Sequence, residues 1–157
     1  MQVIGLCRFS YPALAEFQVG HETPKERIDY LYAAERLEER FALFETVALP
    51  GLRAQTDLDF DLFIVVGDQM PPAALARLEM LIADLPQALI VAQPPRPQRE
   101  VMKEILNGAR RNPSQPCLQF RFDDDDVVAV DFIARLLRIA QDCWQSTKPS
   151  RSTGIKG

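Results

Sequence analysis

Leu62-Phe63-Ile64-Val65-Val66, closed by Gly67-Asp68, is a run of five apolar residues with no polar alternation. A strand with one face in water alternates apolar and polar side chains. An unbroken branched and aromatic run suits a strand covered on both faces, as in a parallel sheet. Downstream, Pro71-Pro72 opens a helical pattern carrying Leu75, Leu78, Leu81, Ile82 and Leu85, with proline favoured in the first turn. Ala88–Ala92 reads as a further strand, and Pro94, Pro95 and Pro97 as a rigid loop. Arg99–Arg111 reads as a helix with Val101, Ile105, Leu106 and Ala109 inward, stopped by Asn112-Pro113. Cys117–Phe122 is the last strand, and Asp131–Trp144 the last helix. Upstream, Val3–Cys7 reads as a strand ending at Arg8, and Phe9–Thr23 as a long loop. One helix is predicted over Pro24–Leu49, with Ile28, Leu31, Leu37, Phe41, Phe44 and Val47 at helical spacing and Pro50-Gly51 ending it.

Strands alternating with helices predict an α/β fold. Its core is a mostly parallel sheet of about four strands flanked by helices, with Leu62–Val66 and Cys117–Phe122 inside it. Such sheets bind ligands beyond the carboxyl ends of their strands. Arg8, Asp68 and the run Asp123-Asp124-Asp125-Asp126 all fall at predicted strand ends. Four adjacent carboxylates repel, and each raises the pKa of the next. A fold keeps such a cluster most easily when a cation neutralises it, and hard divalent cations such as Mg²⁺ or Mn²⁺ take oxygen ligands of this kind. The plainer readings are a solvated acidic loop, or one aspartate capping the next helix. Asp131, directly before Phe132-Ile133-Ala134-Arg135, is the better placed cap.

The chain has 157 residues, 47% of them hydrophobic, and a formal net charge of −4. That is enough chain for one domain with a core. The division expected is a folded domain over residues 1–144 and a disordered tail over 145–157, which is rich in Ser, Thr, Lys, Pro and Gly. No basic stripe favours nucleic acid. No apolar run approaches the ~20 residues of a membrane span. The first residues carry no basic leader before a long apolar stretch, and a cytoplasmic location is the expectation. Cys7, Cys117 and Cys143 are widely spaced and suggest no disulfide framework. His21 is the only histidine, so a zinc site or a Ser-His-Asp triad is disfavoured.

Several segments in order resemble a known family. Asp123-Asp-Asp-Asp-Val-Val-Ala-Val-Asp-Phe-Ile-Ala-Arg-Leu136 resembles the Asp-x-Asp-Asp segment and following helix of GT-A-type nucleotide-sugar glycosyltransferases. Leu49-Pro-Gly-Leu-Arg-Ala-Gln-Thr-Asp-Leu-Asp-Phe60, with Leu62–Asp68, resembles the helix end and second strand of that fold. Arg36-Leu-Glu-Glu-Arg-Phe-Ala-Leu-Phe-Glu45, Arg99-Glu-Val-Met-Lys-Glu-Ile-Leu-Asn107 and Phe120-Arg-Phe-Asp-Asp-Asp-Asp126 look closest to the bacterial rhamnosyltransferase-like family. The resemblance covers about residues 2 to 144. It implies a Rossmann-like, nucleotide-binding half of a GT-A fold and sugar transfer from a nucleoside diphosphate donor to a saccharide acceptor. By matching position it implies Asp123 and Asp125 as carboxylates toward a divalent metal, Mn²⁺ or Mg²⁺, with Asp126 as an auxiliary acid. Asp124 belongs to the same donor-binding motif. Asp68 would approach the base or ribose, and Arg8, Lys103 and Asn107 would face the nucleotide.

The plain alternatives are a turn for Asp68, a solvated face for Lys103 with Arg99 and Asn107, and a surface cation for Arg8. Members of this family type usually continue beyond the helix after the metal strand, with acceptor contacts and a general base. Gln145–Gly157 has no acidic residue. The expectation is therefore a donor-binding half with little transfer activity alone and a tendency to self-associate. A non-catalytic remnant or interaction module of the same fold is the main alternative. An Asp-x-Asp phosphatase ranks lower, since its motif normally follows the first strand.

Overall fold

The computed structural model of the chain describes residues 1–14 and 23–146. His21 and residues 147–157, most of the expected tail, lie outside the described residues. Four strands, β1 (Val3–Arg8), β2 (Asp61–Gly67), β3 (Ala88–Gln93) and β4 (Leu118–Asp123), form one sheet in the order β3-β2-β1-β4. Every neighbouring pair is parallel. This is the mostly parallel α/β sheet expected from the apolar runs, and it is consistent with the Rossmann-like GT-A arrangement that the resemblance implies.

β1 and β2 are the inner strands, and their residues are almost all buried. β4 was expected inside the sheet but takes an outer position in it. Its residues show why: Gln119 and Arg121 are exposed, while Phe120 and Phe122 are buried. That is the period-two alternation of a strand covered on one face.

The helix predicted as one piece over Pro24–Leu49 is four pieces. α1 (Pro24–Leu31) starts at Thr23, whose hydroxyl accepts from the Glu26 amide while the Glu26 carboxylate accepts from the Thr23 amide. This reciprocal pair satisfies two amide donors that a helix start leaves without partners. α2 (Ala34–Leu43) buries Leu37 and Phe41. A π-helical turn, Phe44–Ala48, then passes into α3 (Leu49–Arg53), which contains the Pro50-Gly51 pair expected to end the helix. Pro50 has no amide to donate, and it sits in the first turn of α3, where none is required. The wider turn before it keeps Phe44 and Ala48 in the core. α4 (Pro72–Ile82), α5 (Gln98–Gly108) and α6 (Phe132–Ser146) complete the fold. α6 runs two residues past the predicted domain end.

Two apolar clusters cover the sheet. The larger joins Val3, Cys7, Leu62, Ile64 and Phe122 to Phe41, Phe44, Leu52, Leu78 and Ile133. Phe9 sits at its centre, with ring centroids 4.8 Å from Phe41 and 5.4 Å from Phe44. Tilted and edge-on contacts of this kind add to the burial of the rings. The smaller cluster packs Val101 and Met102 of α5 on Leu6 and Val65. A Cβ at Gly5 would come 2.4 Å from Cζ of Phe120, so this glycine lets the ring lie across β1.

Candidate functional site

Arg8 and Asp123 are partners in the parallel register of β1 and β4, so both stand at the carboxyl edge of the sheet. Arg8 also pairs with Val65 of β2, which puts Asp68, three residues further on, beyond the same edge. The parallel topology thus brings Arg8, Asp68 and the acidic run to one side, as the sequence predicts.

A cleft of about 330 Å³ opens there, lined by Arg8, Ser10, Tyr11, Arg36, Arg40, Gln98 and Asp123–Asp125 among others. Arg8 grips Asp123 with two bonds, Nε to Oδ1 at 2.9 Å and Nη2 to Oδ2 at 2.6 Å. Its Nη1 donates to Oε1 of the buried Gln98 at 3.1 Å. Arg40, from α2, sends one nitrogen to two carboxylates: Nη1 lies 3.1 Å from Asp124 Oδ1 and 3.2 Å from Asp125 Oδ2. Asp126 serves the turn itself. Its carboxylate accepts from the Asp123 amide at 2.8 Å, and its own amide donates to the Asp123 carbonyl at 3.1 Å. The neutralising charge that four adjacent aspartates require is supplied here by two guanidinium groups.

Asp124 is the buried member of the run, only 4% exposed. Burial pushes its carboxyl up to about 6; Arg40 pulls it down and Asp125 raises it further. Four buried polar atoms on the cleft-lining residues have no hydrogen-bond partner within the protein: Ser10 Oγ, Arg36 Nε, Arg40 Nε and Asp124 Oδ2. Buried polar groups are usually satisfied by protein or by water, so these four atoms are open to a polar partner in the cleft. Ser10 also has φ of 49°, the only non-glycine residue with positive φ among the described residues. Sparsely populated backbone of this kind gathers at functional sites.

The loop after the acidic run is anchored by residues just after α3. Gln55, buried, donates to the carbonyls of Gly51 and Ala129, both at 2.7 Å, and accepts from the Ile133 amide at 3.0 Å. Thr56 donates its amide to the Val130 carbonyl at 2.8 Å. A Cβ at Gly51 would lie 2.5 Å from the Val128 carbonyl oxygen, so only glycine admits this close approach. Asp131 stands directly before α6, and its carboxylate accepts from Arg135 Nε at 2.6 Å.

The remaining sequence candidates stand apart from the cleft wall. Asp68 is exposed beyond β2. Lys103 and Asn107 are exposed on α5, because Val101 and Met102 turn the opposite face to the sheet. The α5 residue that reaches the site is Gln98, at its first position. Sequence reasoning missed Ser10, Gln98, Arg36 and Arg40. The two arginines had a readable signal, since a spacing of four puts them on one face of α2.

The donor chemistry of the site fits a hard divalent cation: carboxylate oxygens, one of them buried without a partner. Among the described residues, no group of three or more His, Cys, Asp or Glu side chains converges as a metal cage. Two carboxylates with the remaining positions filled by phosphate and water is nonetheless an ordinary Mg²⁺ arrangement. Among the described residues no helix is long and apolar enough to cross a membrane.

No curated protein matches the chain. The family model described as "Putative rhamnosyl transferase" matches residues 2–156. The acidic run at the strand edge and the parallel fold agree with that match, and the chain belongs to this glycosyltransferase family.

Proposed function

We propose that the cleft binds the diphosphate of a nucleoside-diphosphate sugar and that the chain serves transfer of the sugar to a saccharide acceptor. The observation that carries this reading is the wall of the cleft. Arginines and aspartates meet there at the carboxyl edge of a parallel sheet, with four buried polar atoms lacking internal partners. Guanidinium groups match phosphate oxygens in geometry and charge. Arg36 and Arg40 supply a cationic wall from α2, with Arg8 at the end of β1. Ser10 offers a hydroxyl at the strand end.

Asp125 and Asp124, whose Oδ2 has no partner, are the carboxylates that would hold Mn²⁺ or Mg²⁺ together with the donor's phosphate oxygens, while Arg8 holds both oxygens of Asp123. When bound, the ion neutralises charge on the departing diphosphate. Asp126 supports this by holding the turn. Asp68, Lys103 and Asn107 are proposed only for the outer parts of the donor, since none of them lines the cleft.

Titration calorimetry of nucleoside diphosphates with Mn²⁺ tests the reading. Asp125→Ala should weaken metal-dependent binding at least tenfold while the far-ultraviolet circular dichroism is unchanged. Identical binding by Asp125→Ala and the parent protein would refute the assignment. Measured transfer with a panel of nucleotide sugars separates a transferase from a module that only binds nucleotide.

A further inference from the structure

Arg40 Nη1 occupies the position between two carboxylates that a bridging cation takes, 3.1 Å from Asp124 and 3.2 Å from Asp125. The same guanidinium leaves its buried Nε without a partner. Asp124 Oδ2, on a side chain only 6% exposed, is likewise without one. The acidic turn thus already has a counter-ion, yet the bonding capacity of both partners is incompletely used. Four residues earlier on the same helix face, Arg36 lines the same cleft. Its guanidinium lies 4.6 Å from the Tyr30 ring centroid and donates to the Tyr30 hydroxyl.

Arg40 Nη1 and a divalent ion bridging Asp124 and Asp125 would compete for one position, and two cations that close repel each other. We propose that Arg40 is a resident counter-ion of the acidic turn, and that a divalent cation taken up by Asp124 and Asp125 exchanges with it. The displaced guanidinium then stands beside Arg36 on the cleft wall, where the pair faces an incoming diphosphate. Metal uptake and anion binding are coupled through one side chain, and each favours the other. This rests on the metal reading of the site and goes beyond it, since it assigns Arg40 the role of competitor for metal and partner for anion.

The test titrates Mn²⁺ alone into the purified chain and counts free ion by electron paramagnetic resonance. Arg40→Gln should bind Mn²⁺ tighter than the parent by about fivefold or more, the lower end of ordinary coupling between sites. Arg36→Gln removes an equal charge from the same wall but bonds neither carboxylate, and should change Mn²⁺ affinity by less. Equal or weaker Mn²⁺ binding in a folded Arg40→Gln overturns the exchange, as does an equal gain in Arg36→Gln, which would mean charge alone. Should Arg40→Gln fail to fold, the pair Asp124→Asn/Arg40→Gln removes the buried unpaired charge. It should bind Mn²⁺ tighter than Asp124→Asn alone, and no gain overturns the exchange. Absence of Mn²⁺ binding in every protein, with nucleoside diphosphate added as well, overturns the metal reading itself and the exchange with it.

Discussion

Arg8 and Asp123 stand opposite each other in the register of β1 and β4 and close the carboxyl edge of the sheet with a two-bond ion pair of 2.9 and 2.6 Å. Backbone pairing and side-chain pairing therefore hold the same two strands at the same level. The pair is partly exposed, so its contribution belongs near the upper end for surface pairs. Arg8→Gln should destabilise the chain by about 1 kcal/mol in urea unfolding. It should also weaken nucleoside diphosphate binding, because Asp123 is then released from its place at the cleft. Unchanged binding would remove Arg8 from the site.

Asp124 gives the chain a stability that depends on pH. Its carboxyl is held at about 6, above the ordinary 3.8. The folded chain therefore keeps the proton more tightly than the unfolded one. The resulting stabilisation is fully present below about pH 4 and is lost as pH rises through about 6. A shift of this size corresponds to roughly 2–3 kcal/mol as an upper bound. Urea unfolding of Asp124→Asn should show a smaller loss of stability between pH 4 and pH 7 than the parent protein. An equal loss in both would locate the titrating group elsewhere.

Gly51→Ala places a methyl against the Val128 carbonyl, where the ideal position is 2.5 Å away. Backbone, rather than a flexible side-chain end, must then move. The expected cost is about 1–3 kcal/mol. Because Val128 follows the acidic run, nucleoside diphosphate affinity should fall as well. A variant of parental stability and affinity would show that the loop yields freely.

Gln55→Leu leaves the Ala129 carbonyl and the Ile133 amide without their present partner. Unmade buried bonds cost about 1–3 kcal/mol each, so a total loss of about 2 kcal/mol or more is expected. Hydrogen exchange should quicken first at Ile133. Gln55→Glu keeps the acceptor for Ile133 and loses the donor to Ala129, and should protect that amide better than leucine does.

The sheet was legible in sequence because its inner strands are unbroken apolar runs. Leu62–Val66 can be covered on both faces and little else. β4 departs from the inner-strand expectation because Gln119 and Arg121 alternate with Phe120 and Phe122, which leaves one face polar. The break at Phe44–Ala48 was not legible. Its apolar spacing continues through the π-turn, and the change of winding depends on how Phe44 and Ala48 pack. The acidic run marks the carboxyl edge of the sheet where the cleft opens, but not the arginines that neutralise it. Periodicity marks Arg36 and Arg40 as neighbours on α2, while only the fold brings that helix to the turn after β4. Lys103 and Asn107 show the converse, since a shared helix face does not say which way the face turns.

The central claim is that this cleft is a donor-diphosphate site, and ligand-dependent stability tests it most directly. The unfolding temperature should be followed with a panel of nucleoside diphosphates and nucleotide sugars, each with and without Mn²⁺. A ligand at a hundred times its Kd adds about 2.7 kcal/mol to the native state. The account predicts that at least one nucleoside diphosphate raises the unfolding temperature, more strongly with Mn²⁺, and that Asp125→Ala loses the metal-dependent part. No shift with any nucleotide at millimolar concentration, with or without metal, would contradict it.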